Sequence, residues 1–102
     1  MDRFEHVRDA VLPILKPYGL KRLAVFGSYA RGDDTAASDI DLLVEFEDPP
    51  RKKLGLLEWV RLEREIGEML GRDVDMVDAE ALKPTIRPYV EEDLKVVYEE
   101  AR

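Results

Sequence analysis

Cysteine is absent from the 102 residues, and histidine occurs once, at His6. The first absence excludes disulfides, thiolate metal sites and a cysteine nucleophile. The second excludes a multi-histidine centre, so any metal must be a hard cation held by oxygen ligands. Basic excess is missing too: 16 Lys and Arg face 23 Asp and Glu, a formal charge of −7. Tight, sequence-independent nucleic-acid binding needs cations that neutralise phosphates, and this balance argues against it. A small nucleotide escorted by a metal ion is not excluded. No apolar run approaches the roughly 20 residues of a membrane span. The opening "MDRFEHVRDA" is charged from its second residue, unlike a secretory signal. These features read as a cytoplasmic protein without a membrane role. A 38% charged share with three Met suits a thermophile only weakly.

What is present reads as one domain, residues 1–102, with 45% apolar residues and room for one modest core. Residues 2–17 carry Phe4, Val7, Val11, Leu12 and Leu15 at helical spacing. Pro13 removes a helix hydrogen bond and is expected to bend this segment, and Gly19 in "PYGL" is expected to end it in a left-handed conformation. "KRLAVF", 21–26, is a short buried strand running into Gly27-Ser28, with a helical turn at 29–31. Residues 39–46 alternate: Ile40, Leu42, Val44 and Phe46 face one way, and Asp39, Asp41, Leu43 and Glu45 the other. After the polar connector "EDPPRKK", residues 54–70 form a helix with Leu56, Trp59, Leu62, Ile66, Met69 and Leu70 as its apolar stripe, ended by Gly71. "DVDMV", 73–77, is a third strand. Residues 84–94 read as a helix opened by Pro84. "KVVY", 95–98, fits either a continued helix or a fourth strand. The order predicts an α/β (α+β) fold, a small mixed sheet of three to four strands with helices packed on one face. Neither repeats nor a linker are visible.

Two aspartates one residue apart in a buried strand need a reason. Asp39 and Asp41 project from one face about 7 Å apart at the backbone. Charges about 6 Å apart repel by roughly 3 kcal/mol at an effective dielectric of about 20. A divalent cation converts that repulsion into attraction, and Mg²⁺ suits a site of one or two carboxylates completed by water and phosphate oxygens. Asp75, in the apolar strand "VDMV", joins them if its strand lies beside 39–46. Three carboxylates on neighbouring strands suffice for two Mg²⁺ ions, one activating an attacking hydroxyl and one holding a triphosphate. Gly27-Ser28, at a strand end, offers close backbone approach, free N–H groups and a hydroxyl to phosphate oxygens. Arg31 is placed to reach the same phosphates. The plain alternatives are solvated aspartates on an open sheet face and an ordinary strand-to-turn junction.

The string "GSYARGDDTAASDIDLLVEF", 27–46, with "GRDVDMVDAEALKPTIRPYV" further on, resembles the minimal nucleotidyltransferases (MNT proteins) of the DNA polymerase beta-like nucleotidyltransferase superfamily. The resemblance covers nearly the whole chain without departure at the motif positions. It implies a nucleotidyltransferase fold, Mg²⁺ dependence and transfer of a nucleoside monophosphate from a triphosphate. It implies that Asp39 and Asp41 bind the metals, that Asp75 is the third ligand and base toward the acceptor hydroxyl, and that Gly27 and Ser28 hold the triphosphate. It further implies a HEPN-type ribonuclease toxin as partner, with this chain its antitoxin, adenylylating a toxin tyrosine with ATP. An adjacent reading frame encoding a helical protein with R-x₄–₆-H would be that partner.

Two other functions compete. One is a non-catalytic module that blocks its partner by contact through Arg51, Lys52, Lys53 and the apolar positions of the last helix. The other is an enzyme adenylylating a small molecule or RNA end. The small size favours a protein acceptor, because such an acceptor brings its own binding surface. A homo-oligomer and a hetero-complex with the toxin both fit an open sheet face. Trp59 reads as core, His6 as surface, Tyr29 as packing or a nucleotide contact, and Glu45 as lying two strand steps outside the site.

Overall fold

The computed structural model describes residues 2–101. Helix α1 spans Arg3–Leu15, capped by Asp2, whose carboxylate accepts from the Glu5 N–H at 2.8 Å. Pro13 lies within it without ending it. A 3-10 turn, Lys16–Tyr18, follows, and Gly19 at φ +83° turns the chain into strand β1, Leu20–Phe26. The short helix α2, Gly27–Arg31, leads through a loop to strand β2, Ile40–Phe46. Helix α3, Leu56–Leu70, ends at left-handed Gly71 as expected. Strand β3, Val74–Asp78, is followed by a 3-10 turn at Ala79–Ala81, helix α4 at Arg87–Glu92 and strand β4 at Lys95–Glu99.

The sheet order is β3-β2-β1-β4. β2 and β4 run antiparallel to β1, and β3 runs parallel to β2. The alternation of β2 sorts the two faces. Ile40, Leu42 and Val44 join Val7, Val11 and Leu15 of α1 and Leu62 and Ile66 of α3 in the main core. Leu43 points to the other face, where Ala24 and Val90 of α4 form a second, smaller cluster. Among the described residues no helix is long and apolar enough to cross a membrane.

Two details depart from the sequence reading, and one that it left open is decided. The last helix opens at Arg87 with Pro88 in its first turn, and Pro84 lies in the preceding turn. The β-branched pair in "KVVY" settles as a strand because β1 offers a free edge to pair with. The apolar stripe of α3 is shorter than its spacing suggests: Leu56 is 79% exposed and Met69 62% exposed, at the helix's two ends, while Trp59 packs edge-on against Phe46. The basic connector is partly tied down. Arg51 pairs with Glu47 at 2.6 Å, and the Lys52 ammonium lies 5.5 Å from the Tyr18 ring centroid.

One network ties α3 to the 3-10 turn that follows α1. Tyr18 donates its hydroxyl hydrogen bond to Glu58, and Arg61 donates to Glu58 at 2.7 Å. Arg61 first, then Tyr18, hold the Glu58 carboxyl down to about 2 from its ordinary 4.5. A lowered folded-state pKa adds stability above the unfolded value and loses it as pH falls toward the folded one. Between about pH 4.5 and 2, the parent should therefore lose melting temperature more steeply than Glu58→Gln. Melting curves by circular dichroism at several pH values check this, and parallel curves for the two proteins would refute it.

Candidate active site

β1 ends and β2 begins at the same end of the sheet, because the two strands are antiparallel. Phe26 is the register partner of Asp41 there. On the other side of β2, Asp41 is the register partner of Asp75. Adjacent strands lie about 4.8 Å apart, so these two carboxylates share a face at neighbouring positions. This row stands next to the row Ala24, Leu43 and Val77, which the second apolar cluster covers. The acids thus border a packed patch and open outward beyond it.

Gly27 follows Phe26 with φ +72°, and α2 starts from it. A Cβ built on Gly27 would collide with Oδ2 of Asp41. Gly27 therefore lies directly against the Asp41 carboxylate. The first N–H groups of a helix have no intrahelical acceptor, so α2 presents donors beside an acid.

Electrostatics mark Asp41 as the focus. Burial pushes its carboxyl up from the ordinary value, Asp75 and then Asp39 add to the rise, and Arg31 opposes it. None of the three acids forms an ion pair among the described residues. Nearby acids are matched: Asp33 and Asp93 both pair with Arg31, at 3.1 and 2.9 Å. An acid group that lacks a protein cation, made of hard oxygen donors only, fits Mg²⁺.

Asp39 stands differently from its expected place. It lies one residue before β2 and is exposed. Among the described residues no three acidic side chains are gathered as a ready-made metal cluster. The structure thus brings Asp41, Asp75 and Gly27 together, with Ser28 next in α2. Asp39 reaches the group through its field on Asp41. Arg31, the last residue of α2, is engaged by Asp33 and Asp93.

Tyr29 resolves to packing. It is buried, its hydroxyl donates to the Arg3 carbonyl at 3.2 Å, and its ring meets Phe4 edge-on. His6 is exposed on α1, as expected. Sequence reasoning missed Arg72 and Asp34. Arg72 donates to Asp34 and to the Thr35 and Ser38 carbonyls, all in the loop that leads to Asp39. The signal was an arginine placed three residues before Asp75, in "GRDVD".

Residues 8–98 match the family model described as a nucleotidyltransferase domain. The chain belongs to the nucleotidyltransferase domain family. A candidate protein adenylyltransferase of Methanocaldococcus jannaschii is 40% identical to this nucleotidyltransferase over 81 residues, 79% of this chain and 83% of that one. A toxin-antitoxin crystal structure with AMP-PNP matches with a TM-score of 0.75 at 23% identity, over 90% of this chain and 73% of that one. A structure of tri-AMPylated Shewanella oneidensis HEPN toxin in complex with MNT antitoxin matches with a TM-score of 0.69 at 21% identity, over 95% and 73% of the two chains. At these identities the two structural likenesses are likenesses of fold.

Proposed function

We propose that this nucleotidyltransferase transfers AMP from ATP to a hydroxyl of a partner protein, a tyrosine of a HEPN-type toxin, and so acts as that toxin's antitoxin. The observation that carries the reading is the Asp41 carboxylate, set against Gly27 on one side and opposite Asp75 on the other, with no cation among the described residues paired to either acid. The relatives and neighbours named above support the choice of AMP and of a protein acceptor.

In this reading Gly27 and Ser28 receive the triphosphate through backbone N–H groups and the Ser28 hydroxyl. Asp39, Asp41 and Asp75 hold Mg²⁺, which when bound neutralises triphosphate charge and lowers the pKa of the attacking hydroxyl. The acceptor oxygen attacks the α-phosphorus, the bond from that phosphorus to the β-phosphate bridging oxygen breaks, and pyrophosphate leaves. The hydroxyl proton passes to the Asp75 carboxylate, which is exposed and carries no ion pair. Arg31 faces the phosphates only by exchanging one of its two aspartate partners.

A second reading, neutralisation by contact alone, is favoured by Tyr89, 75% exposed on α4, and by exposed Ile86 beside that helix. Incubation with ATP labelled at the α-phosphate, Mg²⁺ and a HEPN-type partner protein separates the readings. The expected result is one AMP ester or more on partner tyrosines, with no label from γ-labelled ATP. Label on RNA ends or small molecules alone, with none on protein, would overturn the proposal.

A further inference from the structure

Asp39 lies outside the strand, yet the backbone is held on both sides of it. The carbonyl before it, on Ser38, accepts from Arg72 Nε at 3.2 Å and Nη2 at 2.8 Å. The N–H after it, on Ile40, donates to the Asp73 carbonyl at 2.9 Å. Both clamps come from consecutive residues just ahead of the strand that carries Asp75. The same guanidinium reaches further back along the loop, donating to the Thr35 carbonyl at 2.9 Å and to Asp34 at 2.9 Å. The Asp34 side chain is 7% exposed and also accepts from Arg3 at 2.8 Å, so the loop is fastened to α1 as well. Arg72 itself is fixed from below. Its N–H donates to the Gly67 carbonyl at 3.1 Å, and a Cβ on Gly67 would lie 2.9 Å from the Arg72 carbonyl oxygen.

We propose that Arg72 is a positioning residue that sets where Asp39 stands relative to Asp41 and Asp75, and thereby the site's affinity for a divalent cation. The inference rests on the metal-binding role proposed above for those acids. Its physical basis is the planar fork of arginine, which makes four hydrogen bonds to three acceptors at once. A lysine ammonium is a point donor and cannot hold that geometry. Arg72→Lys keeps the positive charge and removes the fork, so it reads geometry and not field.

The test is direct Mn²⁺ binding in the presence of a non-hydrolysable ATP analogue, read by electron paramagnetic resonance at a temperature where each variant is folded. Residues that orient metal ligands typically change affinity by about 10- to 100-fold. Arg72→Lys is expected to weaken Mn²⁺ binding about tenfold, and raising Mn²⁺ should restore part of its transfer rate. Asp34→Asn keeps the carbonyl contacts and is expected to weaken binding about two- to threefold, which keeps the idea testable if Arg72→Lys does not fold. Arg61→Lys, in an equally connected network away from the site, should bind Mn²⁺ as the parent does. Parental affinity in both the Arg72 and Asp34 variants would overturn the inference, as would an equal loss in Arg61→Lys. A parent that binds no Mn²⁺ at all would instead overturn the proposed metal-binding role.

Discussion

Replacing both Asp39 and Asp41 with Asn should lower AMP transfer by a thousandfold or more while leaving the cation-free fold at least as stable. A thousandfold loss corresponds to about 4 kcal/mol of transition-state stabilisation, a reasonable share for the ligands of a catalytic metal. The stability half follows from the direction of the Asp41 shift. Burial, Asp75 and Asp39 all push its carboxyl up. An acid whose folded pKa is raised subtracts stability above that pKa and returns it as pH falls through it. Near pH 7 without divalent cation the carboxylate is thus a burden on the fold, and Asn removes it. The double variant should melt at or a few degrees above the parent in the presence of a chelator. The gap should close or reverse when Mg²⁺ and ATP are added, since only the parent gains binding energy. Melting curves in both conditions and the transfer rate give three independent readings. A variant retaining a tenth of parental transfer would refute the metal role. One that loses transfer yet silences the partner fully would show that contact is sufficient.

That variant rests on residues the sequence exposes, because a charge in an aliphatic run violates the strand pattern. Asp41 and Asp75 break their strands' apolar character, and each is now the register partner of the other. The alternation of 40–46 likewise announced which side chains meet α1 and α3. Pairing was beyond reach. Nothing local distinguishes β3 running parallel beside β2 from other arrangements, since strand order depends on which faces the helices cover. The same limit explains "KVVY": its fate as β4 is decided by the open edge of β1 and not by its own residues. Arg72 was hidden for a related reason. Its acceptors are carbonyls and an aspartate 34 to 38 positions earlier in the chain, and backbone carbonyls leave no mark in a sequence. Asp39 shows how a candidate residue can be given the wrong setting. The D-x-D spacing implies two strand positions, but the first lies just before the strand, where its position depends on neighbours instead of the pleat.

Gly27→Ala should damage the fold and the chemistry together, and a matched substitution can separate the two effects. Gly27 has φ +72°, a conformation that costs a residue with a Cβ about 1–2 kcal/mol. Its added Cβ would also occupy the position of the Asp41 carboxylate. That carboxylate is the end of a side chain and can rotate away, so the collision adds modest strain. Rotating it away takes the central acid out of its place opposite Asp75. Gly32, at φ +86°, carries the same conformational demand, but a Cβ there would meet nothing within 4 Å. Gly32→Ala is therefore expected to lose about 1 kcal/mol, or roughly 4–8 °C in melting temperature, with transfer within about twofold of the parent. Gly27→Ala is expected to lose at least as much stability and, in addition, about a hundredfold in transfer rate. Equal transfer rates in the two variants would mean that Gly27 serves only the turn, and its contact with Asp41 would have no part in catalysis.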